Sequence, residues 1–301
     1  MQDSIEDLLS STTLGWSKLH EAGKLGTIGN YAGILKENRW ALVHEMPFAE
    51  NYPISDVVKS RYNMCKCSVG NTVLSVCINH KNLASIADMV DTQLLSTFNA
   101  GCSGFHRAAI TGTLQCVAKY LTAEALLSPC EGKERKNVIA LAAEFGHFGQ
   151  VPSEYVTAEI LSLPVDISNN TLYHVLAMRG DLDLVPEGLL DRGLSLLNHA
   201  GESPLHYCAW TGNFGQVPEA FLTSERIEQR PVVQKWNSLA NILSPLEYAQ
   251  QCHHLDALLG IEFSEGARQV VGEDWWNKNR MVIQDKRALK DGNAAQELEL
   301  F

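Results

Sequence analysis

Hydrophobic residues along the chain recur in short blocks that share one internal order of residue types. The segment GESPLHYCAWTGNFGQVPEAFLTSE at 201–225 and the segment KNVIALAAEFGHFGQVPSEYVTAE at 136–159 both carry a small-residue pair, then glycine, then Phe-Gly-Gln-Val-Pro. Segments 170–190 and 102–127 follow the same order more loosely. Self-similarity of this kind predicts repeated structural units, each made of one supersecondary element.

The spacing of these blocks is typical of helical repeat proteins. One apolar position anchors each of seven blocks: Leu19, Leu74, Phe105, Ile139, Tyr173, Leu205 and Leu246. The three steps between 105 and 205 are 34, 34 and 32 residues, whereas the steps from 19 to 74 and from 205 to 246 are 55 and 41 residues. Four blocks carry the motif clearly, and those at 19, 74 and 246 are degraded. A period of about 33 residues predicts stacked pairs of short helices.

Each block also contains signals for where its helices begin and end. Ser203 can cap a helix N-terminus, and Gly212 falls where that first helix must end. Proline suits the first turn of a second helix. It occupies that place at Pro152, Pro186 and Pro218.

The segment SPLHYCAWTG at 203–212 resembles the Thr-Pro-Leu-His-x-Ala-Ala-x-x-Gly signature of the ankyrin repeat family. The resemblance covers about residues 14–262, and the family's turn signature before the motif survives only as Asn198 and Gly201. It implies an all-α fold, an ankyrin-type α-solenoid of about seven helix-turn-helix repeats that bury their apolar faces against one another. It also implies a protein-interaction scaffold that binds a protein partner in a concave groove.

Three regions follow from this pattern. Residues 1–262 form the predicted repeat array, with a degenerate insertion at 39–69 that is either a decayed repeat or a binding loop. Residues 263–290 are predicted to form a C-terminal capping helix, because terminal repeats need covering, with at least one of Trp275 and Trp276 packed in it. Residues 291–301 are predicted to be a flexible acidic tail.

Histidine is where an enzymatic interpretation would begin, and the repeat argues against it. Four histidines share one slot of the block: His20, His106, His174 and His206. In the ankyrin family this histidine binds backbone near the turns, and repetition at a fixed period indicates a structural role. No nucleophile, phosphate-loop or zinc-protease motif is present. The spacing of Cys65, Cys67, Cys77 and His80 matches no common zinc pattern, so we expect no catalytic residue, metal or cofactor.

The composition of the chain limits the classes of partner that it can bind. The formal charge of -11 argues against direct binding of nucleic acid, because an acidic surface repels phosphate. The start of the chain has no basic and apolar leader, no stretch is long enough to cross a membrane, and the eight cysteines form no disulfide framework. We therefore expect a cytoplasmic protein that contacts no membrane.

A row of apolar and polar side chains defines the candidate binding surface. In ankyrin folds, the two positions after the small-residue pair face the groove. The candidate protein-binding residues at these positions are Ile110, Phe145, Met178, Arg179, Trp210 and Thr211. Exposed apolar rows with aromatic or arginine anchors are typical of interfaces. The alternative is that neighbouring units or the insertion partly cover the row.

The last six residues, QELELF, are a second candidate site. They resemble the peptide by which bacterial replication and repair proteins dock on the sliding clamp, which would make this chain a clamp adaptor. The peptide residues would be Gln296, Leu298, Leu300 and Phe301. The alternative is an acidic tail whose end packs back on the terminal helix. A third hypothesis is an inhibitor or regulator of an enzyme, or an enzyme of unrecognised type.

Overall fold

The chain divides into two compact units, Met1–Val156 and Thr157–Phe301. The computed structural model describes residues 4–10, 17–38, 41–42, 45–46, 71–97, 101–131, 135–230 and 243–298. The unit boundary falls inside the array predicted for residues 1–262, and nothing in the repeat pattern indicates it. Nearly all of the predicted insertion at 39–69 lies outside the described residues.

The first unit is built from short α-helices. They are α1 (Ile5–Leu9), α2 (Lys18–Leu25), α3 (Ala32–Glu37), α4 (Val73–Asn79), α5 (Thr92–Ser96), α6 (Gly104–Thr111), α7 (Ala123–Leu127) and α8 (Val138–Glu144). Short 3₁₀ helices lie at Ile28–Tyr31, Leu83–Ile86, Leu114–Tyr120, Phe148–Gln150 and Ser153–Tyr155. Strands β1 (Glu45–Met46) and β2 (Asn71–Thr72) pair antiparallel. Helix α2 packs on α4, α4 on α6, and α6 on α8.

The second unit continues the same construction. Its helices are α9 (Ala158–Leu161), α10 (Leu172–Arg179), α11 (Glu187–Gly193), α12 (Pro204–Thr211), α13 (Ser224–Glu228), α14 (Pro245–Gln251), α15 (Ala267–Val271) and α16 (Glu273–Leu298). Its 3₁₀ helices are Leu182–Leu184, Asn213–Gln216, Glu219–Phe221 and Leu255–Leu258. Helix α10 packs on α12, and α12 on α14. The described residues are mostly helical, which confirms the all-α prediction, and none of their helices is long and apolar enough to cross a membrane.

Two local signals fix the first helix of each predicted block. An extended N-cap precedes α2, α4, α6, α8, α10, α12 and α14, at Ser17, Thr72, Ser103, Asn137, Thr171, Ser203 and Ser244. A side-chain oxygen there satisfies a backbone N–H that the helix leaves without a partner. Nine residues after each cap the backbone becomes left-handed, at Gly26, Lys81, Gly112, Gly146, Gly180, Gly212 and His253. Each of the seven blocks therefore contains this helix, even where the slot holds no glycine.

The second element of the block differs from the predicted regular helix. In three blocks it starts as a 3₁₀ helix that ends at a Val-Pro pair, where the valine is extended: ψ is 128° at Val151, 128° at Val185 and 122° at Val217. The residue before a proline is driven out of the helical region, and proline supplies no N–H to continue the ladder. The prolines lie at the N-cap of the next helical segment, one position before its first turn.

A side chain from the next block packs against four of the left-handed glycines, Gly26, Gly112, Gly180 and Gly212. Asn82 Nδ2 donates to the carbonyl oxygen of Gly23 at 2.8 Å in the first unit, and Asn213 Nδ2 donates to that of Met178 at 3.1 Å in the second. A Cβ on Gly180 would lie 2.9 Å from Asn213 Cγ, so this glycine is needed for close approach as well as for its φ of 81°. These contacts tie the C-terminal ends of successive first helices together.

The C-terminal region differs from its prediction in two ways. The predicted single capping helix is broken by Gly272, at φ 82°, into α15 and α16. Helix α16 continues to Leu298, so residues 291–298 of the predicted flexible tail are helical. Trp276 is 5% exposed, as predicted for at least one of the two tryptophans. Buried Asn279 accepts from Gly260 N–H at 2.8 Å and donates to the Ile261 carbonyl at 3.1 Å, which anchors α16 to the preceding loop.

Candidate functional site

The histidines of the repeat join the start of one helix to the loop that follows it. Nε2 binds a carbonyl oxygen in three cases: His106 with Ser128 at 2.9 Å, His174 with Glu202 at 3.0 Å, and His206 with Leu243 at 3.0 Å. A carbonyl only accepts, so Nε2 carries the hydrogen and Nδ1 is an acceptor. The N-cap N–H donates to this Nδ1 at 3.2, 3.1 and 2.9 Å, respectively. The prediction that the repeated histidine binds backbone near the turns is confirmed for His106, His174 and His206.

Both ring nitrogens of these histidines are therefore engaged, and the rings are held neutral. Burial lowers the pKa of His106 to about 4, and it also lowers the pKa of His174 and His206. Taking up a proton at Nδ1 would remove the acceptor that the N-cap N–H uses. This arrangement serves the fold, and it leaves no ring nitrogen available to a substrate.

In the first unit, the structure corrects one residue of the predicted row. Ile110 is 2% exposed, so the prediction that it belongs to the exposed binding row is wrong. Helix α6 is buried along its whole length from Gly104 to Ile110, because α4 and α8 pack against it. Phe145 follows α8 as its C-cap and is half-buried.

In the second unit, the predicted residues lie at the C-terminal ends of α10 and α12. Trp210 is 56% exposed, Arg179 is exposed, and Met178 and Thr211 are half-buried. Asn213 brings the two helix ends together, since its Nδ2 donates to the Met178 carbonyl at 3.1 Å and to Thr211 Oγ1 at 2.8 Å. This part of the row therefore forms one continuous surface, with Trp210 as its most prominent apolar side chain.

Trp210 is part of the lining of an aromatic pocket. The pocket has a volume of about 240 Å³ and is lined by Glu202, His206, Tyr207, Trp210 and Tyr248. The rings of Tyr207 and Trp210 are 6.4 Å apart at an angle of 70°, and those of His206 and Tyr248 are 5.7 Å apart at 85°. Such edge-to-face arrangements are favoured between aromatic rings. The two rings of each pair are therefore not stacked in parallel.

A hydrogen-bond network fixes the polar side of this pocket. The Tyr248 hydroxyl donates to Glu202 Oε1 at 2.8 Å, and Asn198 Nδ2 donates to Glu202 Oε2 at 3.2 Å. The Tyr207 hydroxyl donates to Asn170 Oδ1 at 3.0 Å. Burial, together with the hydrogen bond to Glu202, raises the pKa of Tyr248 to about 12, so its hydroxyl stays a donor. The aromatic rings and the carboxylate are thus held in defined positions before any ligand binds.

The turn that carries Glu202 is built by the residues that resemble the family's turn signature. Asn198 Oδ1 accepts from the backbone N–H of Glu202 at 3.0 Å, and Gly201 has φ 82°. The same turn occurs one block earlier, where Asp166 stands in the place of Asn198 and Asn169, at φ 61°, in that of Gly201. The turn geometry therefore also forms without the glycine of the signature, because asparagine tolerates the left-handed region.

Sequence reasoning selected Trp210 but missed the other residues of the pocket. Tyr207 and Tyr248 occupy the same slot of their blocks, two residues after the anchors Leu205 and Leu246. Earlier blocks hold Val76, Arg107, Leu141 and Val175 in that slot. The appearance of tyrosine in this slot in two successive blocks was the available signal for the pocket. It is easily overlooked, because a tyrosine in this slot can also be interpreted as an ordinary hydrophobic core residue.

The C-terminal peptide and the cysteine set gain no support. Gln296 and Leu298 lie on the helical backbone of α16, whereas Leu300 and Phe301 lie outside the described residues, as do Cys65 and Cys67. A docking peptide needs a flexible tether, and the residues proposed for it are helical. In the described part of the chain, no three His, Cys, Asp or Glu side chains gather as a metal site would require.

Comparison with known proteins gives a distant structural likeness. No protein-family model matches the chain, and no curated protein matches it. A solved structure of a predatory endopeptidase from Bdellovibrio bacteriovorus in complex with an immunity protein contains a chain that is 15% identical, with a TM-score of 0.43. The match covers 68% of this chain and 94% of that chain.

Proposed function

We propose that this chain is an ankyrin-type protein-interaction module without a catalytic step of its own, and that it captures a protein partner through the helix ends around Trp210. The ankyrin assignment is supported by the N-cap, the left-handed residue nine positions later, and the histidine that links one block to the next. Stacked units of this kind present side chains at the ends of their helices, where a partner can contact several units at once.

The exposure of Trp210 is the observation that carries the proposal. Tryptophan buries about 150–250 Å² when covered, so the exposed 56% leaves roughly 100 Å² of mainly apolar surface in water. At about 25 cal/mol per Å², covering it would contribute about 2–3 kcal/mol, which is the size of an interface hot spot. This free energy is gained only when a partner covers the indole.

The surroundings of Trp210 are ordered as an interface residue requires. Thr211 donates to the Tyr207 carbonyl at 2.8 Å, and Asn213 fixes Thr211 to the neighbouring helix end. Little side-chain freedom is then lost when a partner binds, which favours affinity. Met178 and Arg179 end the neighbouring helix α10, and the Met178 carbonyl accepts from Asn213. In the first unit, half-buried Phe145 is the remaining candidate.

Partner capture tests the proposal. Partners are first identified by cross-linking in the cells that express the chain, and each is then purified and titrated against Trp210→Ala by calorimetry. We expect the affinity to fall at least about tenfold, as the loss of a hot spot does. Ile167→Ala, in the same unit and 83% exposed, is the control and should bind like wild type. Equal affinities for Trp210→Ala and wild type would refute the proposal.

A further inference from the structure

The pocket beside Trp210 contains a single charged group among the residues that line it. Glu202 is flanked by the rings of His206, Tyr207, Trp210 and Tyr248. Both carboxylate oxygens accept from neutral donors, Tyr248 and Asn198, and the described residues give Glu202 no ion pair. The lowered pKa of His206, which burial causes, keeps that ring uncharged near neutral pH. The pocket therefore carries a negative charge that nothing in the described part of the chain neutralises.

The volume of the pocket limits what can enter it. Pockets for cofactors and drug-sized ligands usually hold about 300–1,000 Å³. A pocket of about 240 Å³ lies below that range and suits one long side chain. Trp210 belongs both to the lining of this pocket and to the proposed interface, so a partner side chain bound at that interface can enter the pocket.

The chemistry of the walls selects the kind of side chain. Aromatic rings present a negative face, and cations bind over tryptophan and tyrosine more readily than other groups do. A carboxylate adds a hydrogen-bond acceptor for a cation and repels an anion. An apolar side chain would cover Glu202 without compensating its lost hydration. A guanidinium group satisfies both demands at once, since it stacks flat on a ring and binds a carboxylate along its edge.

We propose that this pocket binds an arginine side chain of the partner protein, with the guanidinium held between the aromatic rings and the carboxylate of Glu202. The inference rests on the proposed function, because it names the chemistry of the partner at the same surface. The formal charge of -11 agrees with it, since an acidic protein attracts a basic partner over several ångströms before contact.

A small probe tests the pocket without the partner. N-acetyl-arginine methylamide is titrated into the isotope-labelled full-length chain, and the indole N–H signal of Trp210, assigned with Trp210→Phe, is followed by NMR. We expect a saturable shift with a dissociation constant of roughly 1–10 mM. N-acetyl-citrulline methylamide, which has nearly the same shape and no charge, should bind at least about tenfold more weakly, because it loses the cation–π and charge-assisted contacts.

Two variants test whether the carboxylate of Glu202 is the charge that binds the arginine probe. Glu202→Gln keeps the size of the side chain and its acceptor for Tyr248, and we expect it to weaken arginine binding at least about fivefold while leaving the weak citrulline binding unchanged. Glu187→Gln, on an exposed carboxylate of the same unit, should bind arginine like wild type. Circular dichroism confirms that each variant folds.

Three results would overturn the inference: no saturable shift with the arginine probe, equal binding of arginine and citrulline, or full affinity in Glu202→Gln. Failure here is separable from failure of the proposed function. If these results occur while Trp210→Ala still loses the purified partner, the interface stands and the arginine assignment is wrong. If Trp210→Ala retains the partner, the interface itself is wrong, whatever the probe does.

Discussion

Acid should loosen the first unit through His106 before its carboxylates are protonated. The folded pKa of His106 is about 4, against 6.5 for a free histidine, because burial disfavours the charged ring. The unfolded chain therefore binds the proton first. The stabilisation is complete above about pH 6.5 and is lost as the pH falls toward the folded value. A difference of about 2.5 pKa units corresponds to about 3 kcal/mol, of which about 2 kcal/mol is lost by about pH 5.

Hydrogen exchange of the peptide that covers α6, corrected for the intrinsic rate at each pH, measures this loss locally. In His106→Gln, the unit should be less stable at neutral pH, because the bonds to Ser103 and Ser128 change. Its stability should then fall much less than that of wild type between about pH 6.5 and 5. His199→Gln, which replaces an exposed ring, should follow wild type. If His106→Gln and wild type lose protection in parallel over this range, the pKa argument fails.

Two further predictions concern packing in the second unit. Gly193→Ala should destabilise the protein by several kcal/mol, because the added Cβ would overlap the buried ring of Tyr173. Gly188→Ala, in the same helix, meets nothing within 4 Å and should be neutral or slightly stabilising. Thermal unfolding of the two variants tests this, and equal melting temperatures would contradict it. Trp276→Ala should lower the free energy of unfolding by about 3–5 kcal/mol, because this side chain is buried. Leu289→Ala, at a side chain that is 67% exposed, should change it by no more than about 0.5 kcal/mol. Equal urea midpoints for the two variants would show that α16 does not cap the unit.

The first helix of each block could be predicted from the sequence because its signals are local. A serine, threonine or asparagine cap and a left-handed residue nine positions later each act within about one turn of the backbone, and the left-handed conformation is present even at Lys81 and His253. The second element could not be predicted as well, because Val-Pro reads both as a helix start and as a break. Here Val185 is extended, so the break prevails.

The candidate site was predictable only in part. Trp210 stands out because its slot follows the small-residue pair, but the same slot in α6 holds Ile110, which the neighbouring helices bury. Slot position alone does not determine exposure, because this depends on how closely the adjacent helices pack. The pocket needed Tyr207 and Tyr248 from two stacked blocks and Glu202 from the turn that precedes the first of these blocks. No pattern within a single block contains that combination.

The histidine bond to the next loop has a consequence for how such a chain can change length. Its acceptor is a main-chain oxygen, so any amino acid can provide it, and here Ser128, Glu202 and Leu243 do so at separations of 22, 28 and 37 residues. The intervening segment can therefore gain or lose residues as long as one carbonyl returns to the ring. These loops are natural places to graft foreign peptides, since the joint between modules depends on geometry and not on the identity of the residue that completes it.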